Sequence, residues 1–277
     1  MTDASAPPLR LYLSEPARAV REYGAFRAAQ PLLRSLPHGD GDPVLVLPGL
    51  LADDGSTRAL RQVLRGLGYR VHGWRLGRNI GPTADIMSGM PERLDSLHQR
   101  YGRPVSLIGW SLGGILARDL ARKAPDKVRQ VITLGSPFRI ASPRQSRAHR
   151  NYERYAHLHV EPATFPRATE VGPLPVPTTS IYSRYDGIVA WQACLNLPYP
   201  QAENIAVKAS HCGMGHHPAV LWAVADRLAQ PADTWRPFRA PAALAGLFPP
   251  PDAVPAGPPQ QRTASTPRRR LVVSVRV

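Results

Sequence analysis

From residue 43 to about residue 230, short apolar runs alternate with longer amphipathic stretches. Runs of four or five residues with aliphatic or β-branched centres predict strands at Val44–Leu47, Tyr69–Gly73, Val105–Ile108, Val131–Leu134, Thr179–Ser183 and Asn204–Lys208. Helical spacing predicts helices between them at Thr57–Leu67, Thr83–Tyr101, Leu112–Lys123 and Pro218–Leu228. Such alternation argues an α/β fold with a mostly parallel sheet, helices on both faces and right-handed crossovers. No internal repeat is visible.

Three regions depart from this rhythm. Residues 1–42 are polar and punctuated by proline, with an amphipathic stretch near Ala17–Arg34 expected to lean on the core as one or two helices. More than 40 residues separate the strands at Val131–Leu134 and Thr179–Ser183. A connection that long is usually functional. Its helical part (Ser142–His159) and proline-rich return (Glu161–Pro177) are expected to form a small lid, an insertion spanning about 138–178. From Pro231 the chain holds ten of its 31 prolines, and this Pro/Arg-rich tail (231–277) is expected to be largely disordered beyond about Pro249. Its first part, Thr234–Phe238, has the residues to pack on the domain.

Length changes the picture little: 277 residues suit one large α/β domain, residues 43–230, with ample core. No stretch approaches the roughly 20 apolar residues of a transmembrane segment. The residues Met1–Pro8 lack the basic flank and hydrophobic centre of a secretory signal, so a cytoplasmic location is expected. The formal charge of +15 is carried almost wholly by arginine, the lysines being Lys123, Lys127 and Lys208. It forms no dense stripe and carries no aromatic binding motif, so no nucleic-acid partner is expected. Two cysteines, Cys194 and Cys212, cannot build a disulfide framework. They lie on neighbouring loops, either as one bridge or as free thiols.

The chemistry is concentrated at Gly109-Trp110-Ser111-Leu112-Gly113-Gly114, directly after the strand ending at Ile108 and before the helix beginning at Leu112. Strand, Gly-x-Ser-x-Gly turn and helix are the setting of a nucleophile elbow, in which the serine is held on a sharp, strained turn at a helix N-terminus. A serine hydroxyl needs a base, and the base an orienting acid. Asp186 follows the strand at Thr179–Ser183, and His211 follows the strand at Asn204–Lys208. Serine, acid and histidine thus fall in order at successive strand ends. His216 is the competing base, and His217, before Pro218, suits a helix start. Backbone donors for an oxyanion are expected at Leu112 and, in the Pro48-Gly49-Leu50-Leu51 loop, at Leu50 with Leu51 second. Asp54 and Ser56 are expected to cap the helix at Thr57.

With these residues assembled, the chain resembles the α/β-hydrolase superfamily, on its lipase/esterase side, over about Asp42–Gln230. The resemblance rests on Leu47-Pro-Gly-Leu50, Gly109–Gly114, Thr133-Leu-Gly-Ser-Pro137, Asp186-Gly187 and Ser210-His211-Cys-Gly213. It implies a reduced sheet of about six strands and a serine hydrolase that cleaves carboxylic esters through an acyl-enzyme. It also implies no cofactor and a small or lipid-like ester as substrate. Leu51, Trp191 and Met214 are candidate substrate-binding residues. His149, His157 and His159 lack partners with metal-ligand spacing, so no metal is expected. An acyltransferase or thioesterase with the same triad, or a non-catalytic polyanion-binding protein, are the alternatives. Oligomeric state is not legible.

Overall fold

Alternate residues of the central strands pack on opposite faces of one sheet, and both faces are covered. In β1 (Pro43–Leu47), Val44 and Val46 join the core on one side while Leu45 and Leu47 join the core on the other. In β3 (Val105–Trp110), Ile108 faces the first core, and Val105 and Leu107 the second. Burial on both faces is what a parallel sheet requires, and it explains why these strands read as apolar runs rather than strict alternations.

The computed structural model describes residues 6–160, 172–231 and 234–254. With β2 (Arg70–Gly73), β4 (Val128–Leu134), β5 (Thr178–Tyr182) and β6 (Ala202–Ala206), the sheet has six strands, all parallel, in the order β2-β1-β3-β4-β5-β6. The order reverses between β1 and β3. Ligands of open α/β sheets bind beyond the carboxyl ends of the strands at such a point.

The helices α3 (Arg58–Gly66), α4 (Ala84–Tyr101), α5 (Leu112–Lys123) and α7 (Pro218–Leu228) lie within a residue of the predicted bounds. Leu60 and Leu64 of α3 and Val220 and Val224 of α7 fill the first core; Leu94 of α4 and Leu116 and Leu120 of α5 fill the second. Asp54 and Ser56 do not cap α3. The Asp54 carboxylate instead accepts from the Trp74 and Arg75 amides at 3.0 and 3.1 Å, tying the loop after β1 to the end of β2, and Ser56 Oγ donates to the Asp53 carbonyl.

The N-terminal helix is longer than its pattern predicts. Helix α1 runs Leu9–Ala28, through Pro16, and α2 covers Gln30–Leu33. Its polarity is reversed in part: Glu15 and Glu22 are 2% and 6% exposed, while Leu13 and Val20 are 69% and 74% exposed. Residues 250–254, past the predicted limit at Pro249, are placed against the domain, and residues 255–277 lie outside the described residues. Phe238 stacks near Phe248, the Phe238 amide donates to Glu203, and Asp252 pairs with Arg184 and accepts from the Tyr182 hydroxyl. The strand-like run Leu271–Val277 lies outside the described residues. No helix among the described residues is long and apolar enough to cross a membrane.

Candidate active site

Six strand ends lie at the carboxyl edge of the sheet, and the predicted chemistry follows four of them, β1, β3, β5 and β6. Ser111 follows β3 with φ 53° and ψ −122°. That backbone costs an L-residue on the order of 1–3 kcal/mol, and the surroundings hold it there: the Ser111 amide donates to the Leu134 carbonyl at 2.8 Å. A Cβ on Gly113 would overlap the Leu47 and Pro48 carbonyls, so only glycine lets α5 approach β1 this closely. Leu112 is the first residue of α5, so its N–H has no acceptor within the helix.

Asp186 and His211 are 3% and 7% exposed. His211 Nδ1 and Asp186 Oδ2 are 2.6 Å apart, and Asp186 Oδ1 accepts from the Ile188 and Val189 amides, each at 2.8 Å. The carboxylate is thereby fixed by three donors. Burial pulls the His211 pKa down, but the Asp186 charge and hydrogen bond, with added charge from Glu15, outweigh it and the net shift is upward from 6.5. Nε2 of His211 makes no hydrogen bond with a described residue, and neither does the Ser111 hydroxyl.

Gly135, just after β4, sits at the centre of this arrangement. Its φ is +53°, and a Cβ there would lie 2.9 Å from Met214 Sδ, 3.2 Å from Asp186 Oδ2 and 3.2 Å from His211 Nδ1. Met214, expected at an acyl pocket, is fully buried in the first core, with its sulfur beside Gly135. Trp191 is stacked on Tyr182, ring centroids 5.8 Å apart, in a cluster with Leu195 and Val254. It belongs to the β5–β6 edge.

The loop after β1 lies over the serine: a Cβ on Gly49 would be 3.3 Å from Ser111 Cβ. Leu51 is excluded as an oxyanion donor, because its amide already donates to the Asn79 carbonyl at 2.7 Å. The Leu50 amide has no acceptor among the described residues. Asn79 is fully buried, and its side chain donates to the Pro48 carbonyl at 2.8 Å, so this residue of the β2–α4 connection fixes the loop on both sides of Leu50. Leu51 itself is half-buried, with φ 62°.

His216 packs on α1 and makes no hydrogen bond to Asp186 or His211. Its Nε2 lies 3.0 Å from the Ala19 carbonyl, and its ring packs edge-on against Tyr23 and Phe26 of α1. His217 caps α7. Cys194 and Cys212 are free thiols, Cys194 buried and Cys212 exposed, and partial desolvation together with the Glu15 carboxylate beside Cys212 raises its pKa. The connection after β4 carries α6 (His149–Glu153). It is anchored at Ser146 against Val189 beside the acid turn, and at His159 against Thr83, with His159 Nε2 2.8 Å from the Ile80 carbonyl. Part of the proline-rich return, residues 161–171, lies outside the described residues.

Sequence reasoning missed two acidic side chains of α1. Glu15 Oε1 accepts from the Gly187 and His211 amides at 2.8 and 3.0 Å, and Oε2 accepts from Cys212 at 2.9 Å. Glu22 accepts from the Ser210 amide at 2.8 Å and the Ser210 hydroxyl at 2.5 Å. Their spacing of seven puts both on one helix face, which was the available signal.

Comparison with known proteins agrees with this architecture. No family model matches the chain. It is 30% identical to a pimeloyl-[acyl-carrier protein] methyl ester esterase of Aromatoleum aromaticum across 28% of this chain and 40% of that protein, so the match spans well under half of the relative. Among solved structures, Aspergillus fumigatus lipase B superposes with a TM-score of 0.54 at 16% identity, covering 73% of this chain and 57% of the lipase. A thermophilic esterase from Thermogutta terrifontis superposes with a TM-score of 0.51 at 21% identity, covering 69% and 90%. The six-stranded parallel sheet, its strand order and these likenesses show that the chain has the α/β-hydrolase fold, the architecture these lipase and esterase structures share.

Proposed function

We propose that the chain is a serine hydrolase that cleaves carboxylic esters through an acyl-enzyme, with Ser111 as nucleophile, His211 as base and Asp186 as the orienting acid. One observation carries this reading. The strained Ser111 and the buried Asp186–His211 pair converge on the two residues Leu134 and Gly135, the first through its amide and the second through close packing. The esterase among the sequence relatives supports the choice of a carboxylic ester as substrate class.

The Asp186 bond to Nδ1 leaves Nε2 of His211 as the ring nitrogen that takes the Ser111 proton. As the hydroxyl oxygen bonds to the ester carbonyl carbon, the carbonyl oxygen gains negative charge. The Leu50 and Leu112 amides are the donors aimed to receive it. Collapse expels the alcohol, protonated by His211, and leaves the acyl group on Ser111. Water, deprotonated by His211, then attacks the acyl carbon and releases the acid. Serine–histidine hydrogen bonds commonly tighten only once substrate is bound, which accommodates the free Ser111 hydroxyl.

The test is a fluorophosphonate probe mapped by peptide mass, alongside p-nitrophenyl ester turnover. A single adduct at Ser111, with turnover lost in Ser111→Ala, is expected. Activity retained in Ser111→Ala would overturn the mechanism.

A further inference from the structure

We propose that Glu15 is a positioning residue for the acid–base pair, and that α1 works as a strap joining the two loops that carry Asp186 and His211. This inference rests on the serine-hydrolase reading and extends it to a residue outside the triad.

The geometry is specific. Asp186 and His211 come from different loops, and one buried carboxylate accepts from both: Gly187, the residue after the acid, and His211 itself, with Cys212 on its second oxygen. These three amides have no other acceptor among the described residues. Arg18 fixes the same carboxylate at 2.8 Å and donates to the Tyr185 carbonyl at 2.6 Å, so α1 grips the chain on both sides of Asp186. Glu22 grips Ser210, on the near side of His211. A Cβ on Gly187 would run into the Leu11 carbonyl, which shows how closely the acid turn lies against the helix.

A carboxylate with this many donors sets the separation of the two loops and therefore the Asp186–His211 bond. Its charge also favours the imidazolium that forms during acyl transfer. The charged and titratable groups around His211 are Asp186 on the acid turn, Glu15, Arg18 and Glu22 on α1, and Cys212, His216 and His217 on its own loop. Of these, Glu15 is the one that touches the His211 backbone.

The experiment compares the full chain with Glu15→Gln and Arg18→Gln. Histidine-labelled protein is titrated by NMR without substrate, and kcat and KM are measured for p-nitrophenyl butyrate. Gln keeps the size of Glu15 but loses its charge and one acceptor. In Glu15→Gln, the His211 titration and the acidic limb of the kcat/KM profile should move to lower pH. Its kcat should fall about 10- to 100-fold with KM nearly unchanged. Arg18→Gln should move the His211 titration the opposite way, because it leaves the Glu15 charge unopposed. A folded Glu15→Gln protein with wild-type titration and kcat would overturn the proposal. If Glu15→Gln does not fold, an unmoved titration in Arg18→Gln does the same. Wild-type protein that neither turns over ester nor takes the fluorophosphonate overturns the hydrolase reading instead, and the NMR comparison then still decides the role of Glu15.

Discussion

The indole Nε1–H of Trp110 donates to the carbonyl of His211 at 3.1 Å. The residue immediately before the serine thus holds the backbone of the histidine, across 101 positions of sequence. Elbow and base loop share a direct bond, and the Trp110 ring also packs against Gly215 further along that loop.

Trp110→Phe removes this donor and keeps most of the ring. It should cost about 1 kcal/mol of stability and lower kcat more than it alters KM. Denaturant unfolding and ester kinetics on the same preparation check both.

His211→Ala should reduce turnover to the level of Ser111→Ala, since nucleophile and base act as a unit. His216→Ala should lower kcat far less than His211→Ala, because that ring makes no hydrogen bond to Asp186 or Ser111 and bonds the Ala19 carbonyl of α1 instead. Equal losses in the two variants would contradict the assignment of His211 as base.

The pH dependence has a defined sign. His211 must be neutral to accept a proton, and its pKa lies above 6.5, chiefly because the Asp186 carboxylate overcomes the burial penalty. The kcat/KM profile should therefore rise through a midpoint above pH 6.5. For stability the same shift works in the other direction. A pKa raised on folding contributes stability that is complete below the unfolded value and lost as pH climbs through the folded one. Chemical denaturation across that window, comparing wild type with His211→Ala, reads the difference.

Gly135→Ala places a methyl group against Met214, Asp186 and His211 at a backbone φ of +53°. The backbone alone should cost about 1–2 kcal/mol, and displacement of the pair should lower kcat further. A variant as active as wild type would mean that the pair tolerates movement.

Asn79→Ala leaves the Pro48 carbonyl without its buried donor. A loss of about 1–3 kcal/mol is expected, with a drop in kcat because the loop carrying Leu50 loses one of its ties to Asn79. Fluorophosphonate labelling rate is a direct readout.

Much of this was legible in the chain. Strand and helix positions follow from apolar runs and amphipathic spacing because the sheet is buried on both faces. Ser111, Asp186 and His211 occupy the strand ends expected of them, since turns beyond buried strands announce themselves through glycine and short polar residues. The start of α1 was missed because Pro16 reads as a first-turn residue, whereas the helix passes through it from Leu9. Glu15 and Glu22 were missed for a deeper reason. Periodicity assigns a helix's buried face to its apolar residues, and here the buried face is held by backbone donors from loops 172 to 197 residues away. The full burial of Met214 was not legible, because a methionine near a histidine looks the same in sequence whether it lines a pocket or fills a core. Leu51 was ranked as a donor without knowledge that Asn79 would take its amide.

The reversed polarity of α1 has a consequence for how the protein comes to be active. The acceptors on Glu15 and Glu22 precede their donors by most of the chain, so during synthesis the helix emerges long before anything exists for it to bind. Contacts this distant in sequence are slow to form, and these join the ends of the domain rather than its middle. The sheet can assemble from neighbouring segments, whereas the contacts of Glu15 and Glu22 with the Asp186 and His211 loops need both ends of the described chain in place. Ester cleavage would then report completed folding, with a partly folded chain remaining chemically silent.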